Sequence, residues 1–304
     1  MRYTVLVLTM AGCNFGSKSL TTDGPSDARE SHDAIVIPNA LRMPNGMLAL
    51  DASSPPPNDA SVADVDIPPG DGFAFPDASL ELDTRLSYTW DDRQVLCSKP
   101  LDDLDKPIDW GRVEQQFFQA EQHQWVALVH GHKPNITISV DAINRVLDLA
   151  DEHHLAYLTF DQLSAGPPRA GVALSIDDDD VDGWLNILQP LLAAHHAKVT
   201  FFVTRWPQLN QARLGELATL VADGNTLEAH SIDHVDAVEY VTANGLDAYL
   251  NNEVVPSIQI MVAAGYHPTS FAFPFGSTTP EISAAILQHV ARVRTTPGPC
   301  PIKS

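Results

Sequence analysis

Residues 171–204 read GVALSIDDDDVDGWLNILQPLLAAHHAKVTFFVT, and this stretch decides the fold. Its first apolar run, Val172 to Ile176, follows the breakers Pro167, Pro168 and Gly171, so it reads as a short buried strand. Asp177 then opens the loop at that strand's C-terminal rim. A helical pattern leads to a second strand candidate at 198–203, and others lie at 94–98, 125–130, 155–160, 226–229, 270–273 and 290–295. Helical patterns separate most of them, as in Ser139 to His153, where Val140, Ile143, Val146, Leu147 and Leu149 recur at helical spacing. Strands alternating with helices predict an α/β chain with a parallel (β/α) barrel, irregular or incompletely closed.

In such barrels the loops at the C-terminal strand ends carry the chemistry. The first strand above ends in Asp177-Asp178, and LEAHSIDHVD from Leu227 places His230 and His234 just after the strand at 226–229. A carboxylate and two imidazoles suit a borderline divalent metal. Three protein ligands leave a position for water, and the spare carboxylate can take a proton from it. Each half has a plainer reading alone: a run of Asp is commonly a solvated turn, and His pairs at i, i+4 arise by chance. Together, each at the C-terminal end of a strand, they point to a metallohydrolase.

The formal net charge of −21, from 39 acidic and 18 basic residues in a chain of 304, argues against a nucleic-acid partner. It also repels anionic membrane surfaces and strongly acidic glycans. No apolar run reaches the ~18 residues of a spanning helix. Membrane attachment is expected only through a lipid: Arg2, the apolar Tyr3 to Ala11 and Gly12-Cys13 resemble a short bacterial lipoprotein signal (residues 1–13) with lipid on the Cys13 thiol. The alternative is an ordinary buried strand. Residues 14–88 are rich in Pro, Asp, Ala and Ser without sustained periodicity, and read as a disordered tether before a folded domain at 89–304. The expected location is extracytoplasmic, anchored to a bacterial outer membrane or cell surface. With Cys13 lipidated, Cys97 and Cys300 remain as an even pair near the two ends of the domain, which suits a disulfide.

The residues 171–204 resemble the first motif region of the polysaccharide deacetylases of carbohydrate esterase family 4, the NodB-homology domain. There a strand ends in Thr-Phe-Asp-Asp-Gly and a helix leads to Ala-Thr-Phe-Phe-Val. AHSIDHVD resembles the family's His-Ser/Thr-x-x-x-His motif, and SFAFPFGSTTPEI from Ser270 its Phe-Ala-Tyr-Pro-Phe-Gly motif. Asp179 stands where the family usually has Gly, and Ala272 where many members carry an Arg that orients the catalytic Asp. WVALVHGHKP from Trp125 resembles the strand that presents the family's late catalytic His, which normally follows the other motifs. Its position ahead of them implies a circular permutation, with new termini near 95–98 and 290–295.

The resemblance implies that Asp178, His230 and His234 bind one metal, zinc by default for that donor set. It makes Asp177 the general base and His132 the general acid, with His130 as the rival. It aims the backbone N–H of Phe275 at the developing oxyanion. It implies acetyl removal from an acetylated polysaccharide; the rival class is a non-catalytic glycan-binding or structural lipoprotein. Trp184 and Trp206 are candidates for a sugar-binding cleft or for core packing.

Overall fold

A computed structural model describes residues 84–164, 166–298 and Cys300. Cys13 and all of the expected tether up to residue 83 lie outside the described residues. Among the described residues ten strands are present: β1 (Ser87–Tyr88), β2 (Val95–Cys97), β3 (Lys99–Pro100), β4 (Val126–Gly131), β5 (Ala156–Tyr157), β6 (Gly171–Asp178), β7 (Thr200–Val203), β8 (Thr226–Ala229), β9 (Ser270–Ala272) and β10 (Arg292–Thr295). The parallel series runs β4-β6-β7-β8-β9-β10-β2, and β3 returns to pair with β4. Residues 95–100 thus bridge the first and last staves, with Ser98 N–H donating to Thr295 at 3.1 Å where the strand changes partner. The fold is a nearly closed, barrel-like sheet wrapped by helices.

The alternation along each strand sorts side chains into two cores. Val172, Leu174 and Ile176 join the layer under the helices, and Ala173 joins an inner cluster with Leu96, Leu128, Phe202 and Ala272. The same alternation puts Ser175 and Asp177 on the inner face. Helix Val140–Glu152 forms where the sequence pattern predicts it, capped by Ser139, whose Oγ accepts Ala142 N–H at 3.0 Å.

Two expectations need correction. The strand foreseen at 155–160 is a two-residue stub: β5 pairs only with Gly171 and Val172 at the base of β6, on the side that β7 occupies higher up. Phe160 follows at once as the start of a 3-10 turn, and its ring belongs to the inner core, so the chain dives inward instead of extending the stave. Described structure also begins before residue 89, inside the stretch expected to be tether. Ser87 and Tyr88 are buried and pair antiparallel with Ala127 and Val126, because Tyr88 plugs the inner cluster against Trp90 and lies under the Arg292 guanidinium.

The β8–β9 seam is thin, with a single register pair, Ala229 to Phe271. Glu228, which is buried, fills in for missing strand carbonyls: its Oε2 accepts the Thr269 and Ser270 N–H groups at 2.6 and 2.7 Å. Burial pushes its carboxyl up to about 8 against the opposing pull of those bonds. Cys97, at the end of β2, and Cys300 are joined by a disulfide across 203 residues, with Cα atoms 5.8 Å apart.

Candidate active site

Asp177 and Asp178 end β6 and diverge by the strand's own alternation. Asp177 turns into the barrel and is 1% exposed, while Asp178 takes φ 87° and swings to the rim. That left-handed backbone belongs to Asp178, not to Asp179, so Gly is not required at 179. The Asp179 carboxylate instead pairs with Arg205 at 3.4 Å and Lys133 at 3.9 Å.

His230 leaves β8, and a loop, not a helix, brings His234 back beside it. Ser231 and His234 have φ of 62° and 59°, so the loop is conformationally costly and is held from several sides. Buried Glu253 accepts the N–H groups of Ile232 and Asp233 through Oε2, at 3.1 and 2.9 Å. Arg205 N–H donates to Ile232 at 3.0 Å, and Ser231 Oγ accepts His234 N–H at 3.1 Å. Ligand atoms of Asp178, His230 and His234 all lie within 4.8 Å of one another.

The donor chemistry fits a cation. His230 Nδ1 lies 2.8 Å from the Ala272 carbonyl, which only accepts, so that nitrogen carries the proton and Nε2 keeps its lone pair. Nε2 is buried without a hydrogen-bond partner and faces Asp178 Oδ1 at 3.8 Å. Burial, outweighing the nearby Asp177 charge, lowers His230 to about 4 and keeps it neutral. His234 Nε2 approaches the same carboxylate oxygen at 3.0 Å. A buried lone pair aimed at a carboxylate, with a second imidazole alongside, is an arrangement that a divalent ion completes.

The neighbouring half holds protons. The buried guanidinium of Arg294 forms an ion pair with Asp177 Oδ2. Arg294 stands on β10 directly across from Ala272 on β9, so the cation expected at 272 comes from the adjacent stave at the same level. The small Ala272 side chain lies on that same inner face. His132 follows β4, with Nε2 3.8 Å from Asp177 Oδ2 and Nδ1 2.7 Å from Asp102 Oδ2. Asp102 also accepts His132 N–H at 3.1 Å and the Thr137 hydroxyl at 2.7 Å, so it fixes both ring and backbone. Burial lowers the His132 pKa, but the Asp102 bond and the charges of Asp177, Asp102 and Asp178 outweigh it and raise the imidazole to about 9. His130 sits deeper, with Nδ1 at 2.7 Å from Ser98 Oγ, and burial with the Arg294 charge pushes it well below its ordinary value.

Phe275 closes the site. Its backbone is left-handed (φ 59°), its ring lies edge-on to His234 with centroids 4.8 Å apart, and it is 67% exposed. Gly276 behind it is obligatory, since a Cβ there would lie 2.3 Å from Thr296 Oγ1. Trp184 and Trp206 are not at the cleft: Trp184 stacks on Phe201 and Trp206 packs on Tyr266, both in the core.

Sequence reasoning located Asp177, Asp178, His230, His234, His132 and Phe275, and the fold gathers them at one end of the barrel. It missed Arg294, Asp102 and Glu253. The alternation in RVRT put an Arg on an inner face, the one available sign of Arg294.

Residues 150–293 match the sequence profile described as Polysaccharide deacetylase. No curated protein matches the chain in sequence. Among solved structures, IcaB from Ammonifex degensii is similar at 17% identity, covering 57% of this chain and 92% of its own, with a TM-score of 0.46. The Streptococcus pyogenes deacetylase PplD, solved in complex with acetate, is 16% identical over 56% of this chain and 91% of its own, with a TM-score of 0.44. The peptidoglycan deacetylase PdaC from Bacillus subtilis is 21% identical over 40% of this chain and 56% of its own, with a TM-score of 0.33. The segment 150–293 therefore carries the sequence pattern of the polysaccharide deacetylase family.

Proposed function

We propose that this domain is a metal-dependent hydrolase that removes acetyl groups, foremost N-acetyl groups, from a polysaccharide. The observation that carries the reading is the meeting of two half-sites. A ligand set of Asp178, His230 and His234 adjoins a carboxylate and an imidazole, each with its own buried partner. Asp178, His230 and His234 would hold the ion, zinc by preference for this donor set, which would polarise the acetyl carbonyl and acidify water.

The remaining roles belong to the same reading. Asp177, ion-paired with Arg294, takes the proton of the attacking water. The Phe275 N–H faces the oxygen on which negative charge develops, a contribution of about 3 kcal/mol in comparable sites. His132, protonated through neutral pH and steadied by Asp102, delivers a proton to the departing amine. His130 is too deep for that duty, with its Nδ1 already engaged by Ser98.

Asp177→Asn is expected to retain one equivalent of metal and lose at least a hundredfold in acetate release from chitooligosaccharides. His132→Ala should also keep metal and lose far more on amides than on an activated acetyl ester, whose leaving group needs no proton. Equal losses on both would remove His132 as the acid. No acetate from any acetylated substrate with metal-loaded wild type would favour a non-catalytic glycan-binding role.

We further read the chain order as a circular permutation, supported by the stave carrying His132 preceding the Asp motif in sequence while lying beside it in the sheet. The lipid anchor at Cys13 and an extracytoplasmic address belong to the same proposal, supported by the disulfide. Metabolic labelling with a tagged fatty acid, lost in Cys13→Ser, tests the anchor.

A further inference from the structure

The two oxygens of Asp178 face different groups. Oδ1 looks toward both imidazoles, 3.8 Å from His230 Nε2 and 3.0 Å from His234 Nε2. Oδ2 looks toward the Lys133 ammonium, whose Nζ lies 3.6 Å away. That ammonium is also 3.9 Å from Asp179 Oδ1, and Asp179 Oδ2 is held in turn by Arg205 at 3.4 Å. A row of alternating charge, Arg205–Asp179–Lys133–Asp178, thus runs along the rim and ends on one oxygen of a candidate metal ligand. Asp179 stands where the resemblance expects Gly, and a Gly could not anchor a lysine here.

Lys133 is built on a fixed turn. Its carbonyl accepts the Ile136 and Thr137 N–H groups at 3.0 and 2.9 Å, and its own N–H donates to Thr137 Oγ1 at 3.0 Å. The Thr137 hydroxyl in turn donates to Asp102 at 2.7 Å. The turn that carries Lys133 is therefore the one that fixes the His132–Asp102 pair. A partly exposed ion pair of this kind adds little to stability. Its place behind a candidate ligand gives the ammonium a different use.

Resting on the metal-dependent hydrolase reading above, we propose that Lys133 is a positioning residue for Asp178 that tunes the metal site. By engaging Oδ2 it leaves Oδ1 as the oxygen presented with the two imidazoles, so Asp178 offers one ligand atom and not two. It also sets a positive charge behind the carboxylate, which lowers the negative charge that Oδ1 can give to a cation. Both effects have the same sign. They loosen the hold on a divalent ion and leave that ion a stronger Lewis acid toward the acetyl carbonyl. The lysine gives up metal affinity in exchange for polarising power.

The test compares the full chain as wild type, Lys133→Met, Lys133→Gln and Lys133→Arg, each stripped of metal and titrated with zinc against a chromophoric chelator. Lys133→Met and Lys133→Gln should bind zinc about tenfold more tightly, the lower end of the scale on which groups behind metal ligands act. Lys133→Arg, which keeps the charge, should stay near the wild-type value. Cobalt-loaded protein gives a second reading, because the visible spectrum of cobalt follows the number of its ligands. It should change in Lys133→Met and be restored in Lys133→Arg. At saturating metal, Lys133→Met should lose kcat on an activated acetyl ester and on a chitooligosaccharide alike, since the deficit lies at the carbonyl and not at the leaving group. Melting temperatures of the metal-free proteins close to wild type verify that the variants fold. Zinc affinity that is unchanged or weaker in Lys133→Met and Lys133→Gln overturns the proposal while the hydrolase reading stands. A defect confined to KM, at wild-type zinc affinity, does the same by making Lys133 a substrate contact. Wild type that takes up no divalent ion instead overturns the metal-dependent hydrolase reading itself.

Discussion

The two halves of the candidate site are built in opposite ways. The metal half comes from short windows of sequence, Asp178 at the end of β6 and 230–234 just after β8, within one run of the chain. The proton half joins Asp177 to His132 and Asp102 from upstream and to Arg294 from far downstream, and only barrel closure brings them together. The segment 150–293 that matches the deacetylase profile holds every candidate metal ligand but stops short of Asp102, His132 and Arg294. Ligation can thus be read locally, whereas proton transfer depends on the register of distant strands.

The sharpest way to break the comparison is on the metal side. His230→Ala should abolish stoichiometric metal by elemental analysis, and acetate release with it, while the fold survives. Metal retained at one equivalent would show that the ligand set is wrong. On the proton side, Arg294→Met leaves the Asp177 carboxylate buried without its partner, and loss of one member of a buried pair costs roughly 3–5 kcal/mol. A melting temperature lowered by many degrees with metal stoichiometry intact is the expected signature, and a wild-type melting curve would contradict the pairing.

Asp102→Asn is a gentler cut. It removes a bond and a charge that raise His132, so the alkaline limb of amide turnover should move to lower pH while ester turnover moves less. The same pair contributes to stability with a defined sign. Its contribution is complete below the ordinary histidine value of about 6.5 and is lost as pH rises through about 9. An unmoved His132 titration in Asp102→Asn, followed by NMR of the metal-free protein, would contradict this. The smallest expected change is Glu253→Gln, which keeps an acceptor but loses the charge facing the Ile232 and Asp233 amides. A severalfold weaker metal affinity, seen by competition with a chelator, would mark Glu253 as a positioning residue for the 230–234 loop; an unaltered affinity would remove it from that role.

The same contrast explains what the sequence made legible. Alternation along VALSIDD and the spacing of AHSIDHVD locate the strand ends and the ligands, because those signals are local. The stave at 155–160 reads as a full strand because apolar residues look alike whether they extend a sheet or turn into a core, and Phe160 does the latter. Tyr88 was hidden among Pro- and Asp-rich sequence although it plugs the barrel base. Arg294 was invisible for a different reason: nothing near Ala272 in sequence says that the opposite residue on the next strand supplies the missing guanidinium.

The bridging segment 95–100 has a consequence for how the molecule comes into being. It must wait for β10 before it has both neighbours, and β10 lies far downstream of it in the sequence. Contacts of such long sequence separation form late, because the intervening chain must first be gathered. The stave that completes the wall also delivers Arg294 to Asp177. A growing polypeptide presents Asp178, His230 and His234 before Arg294 has been made, so the partner of Asp177 joins the site only after the other half is in place.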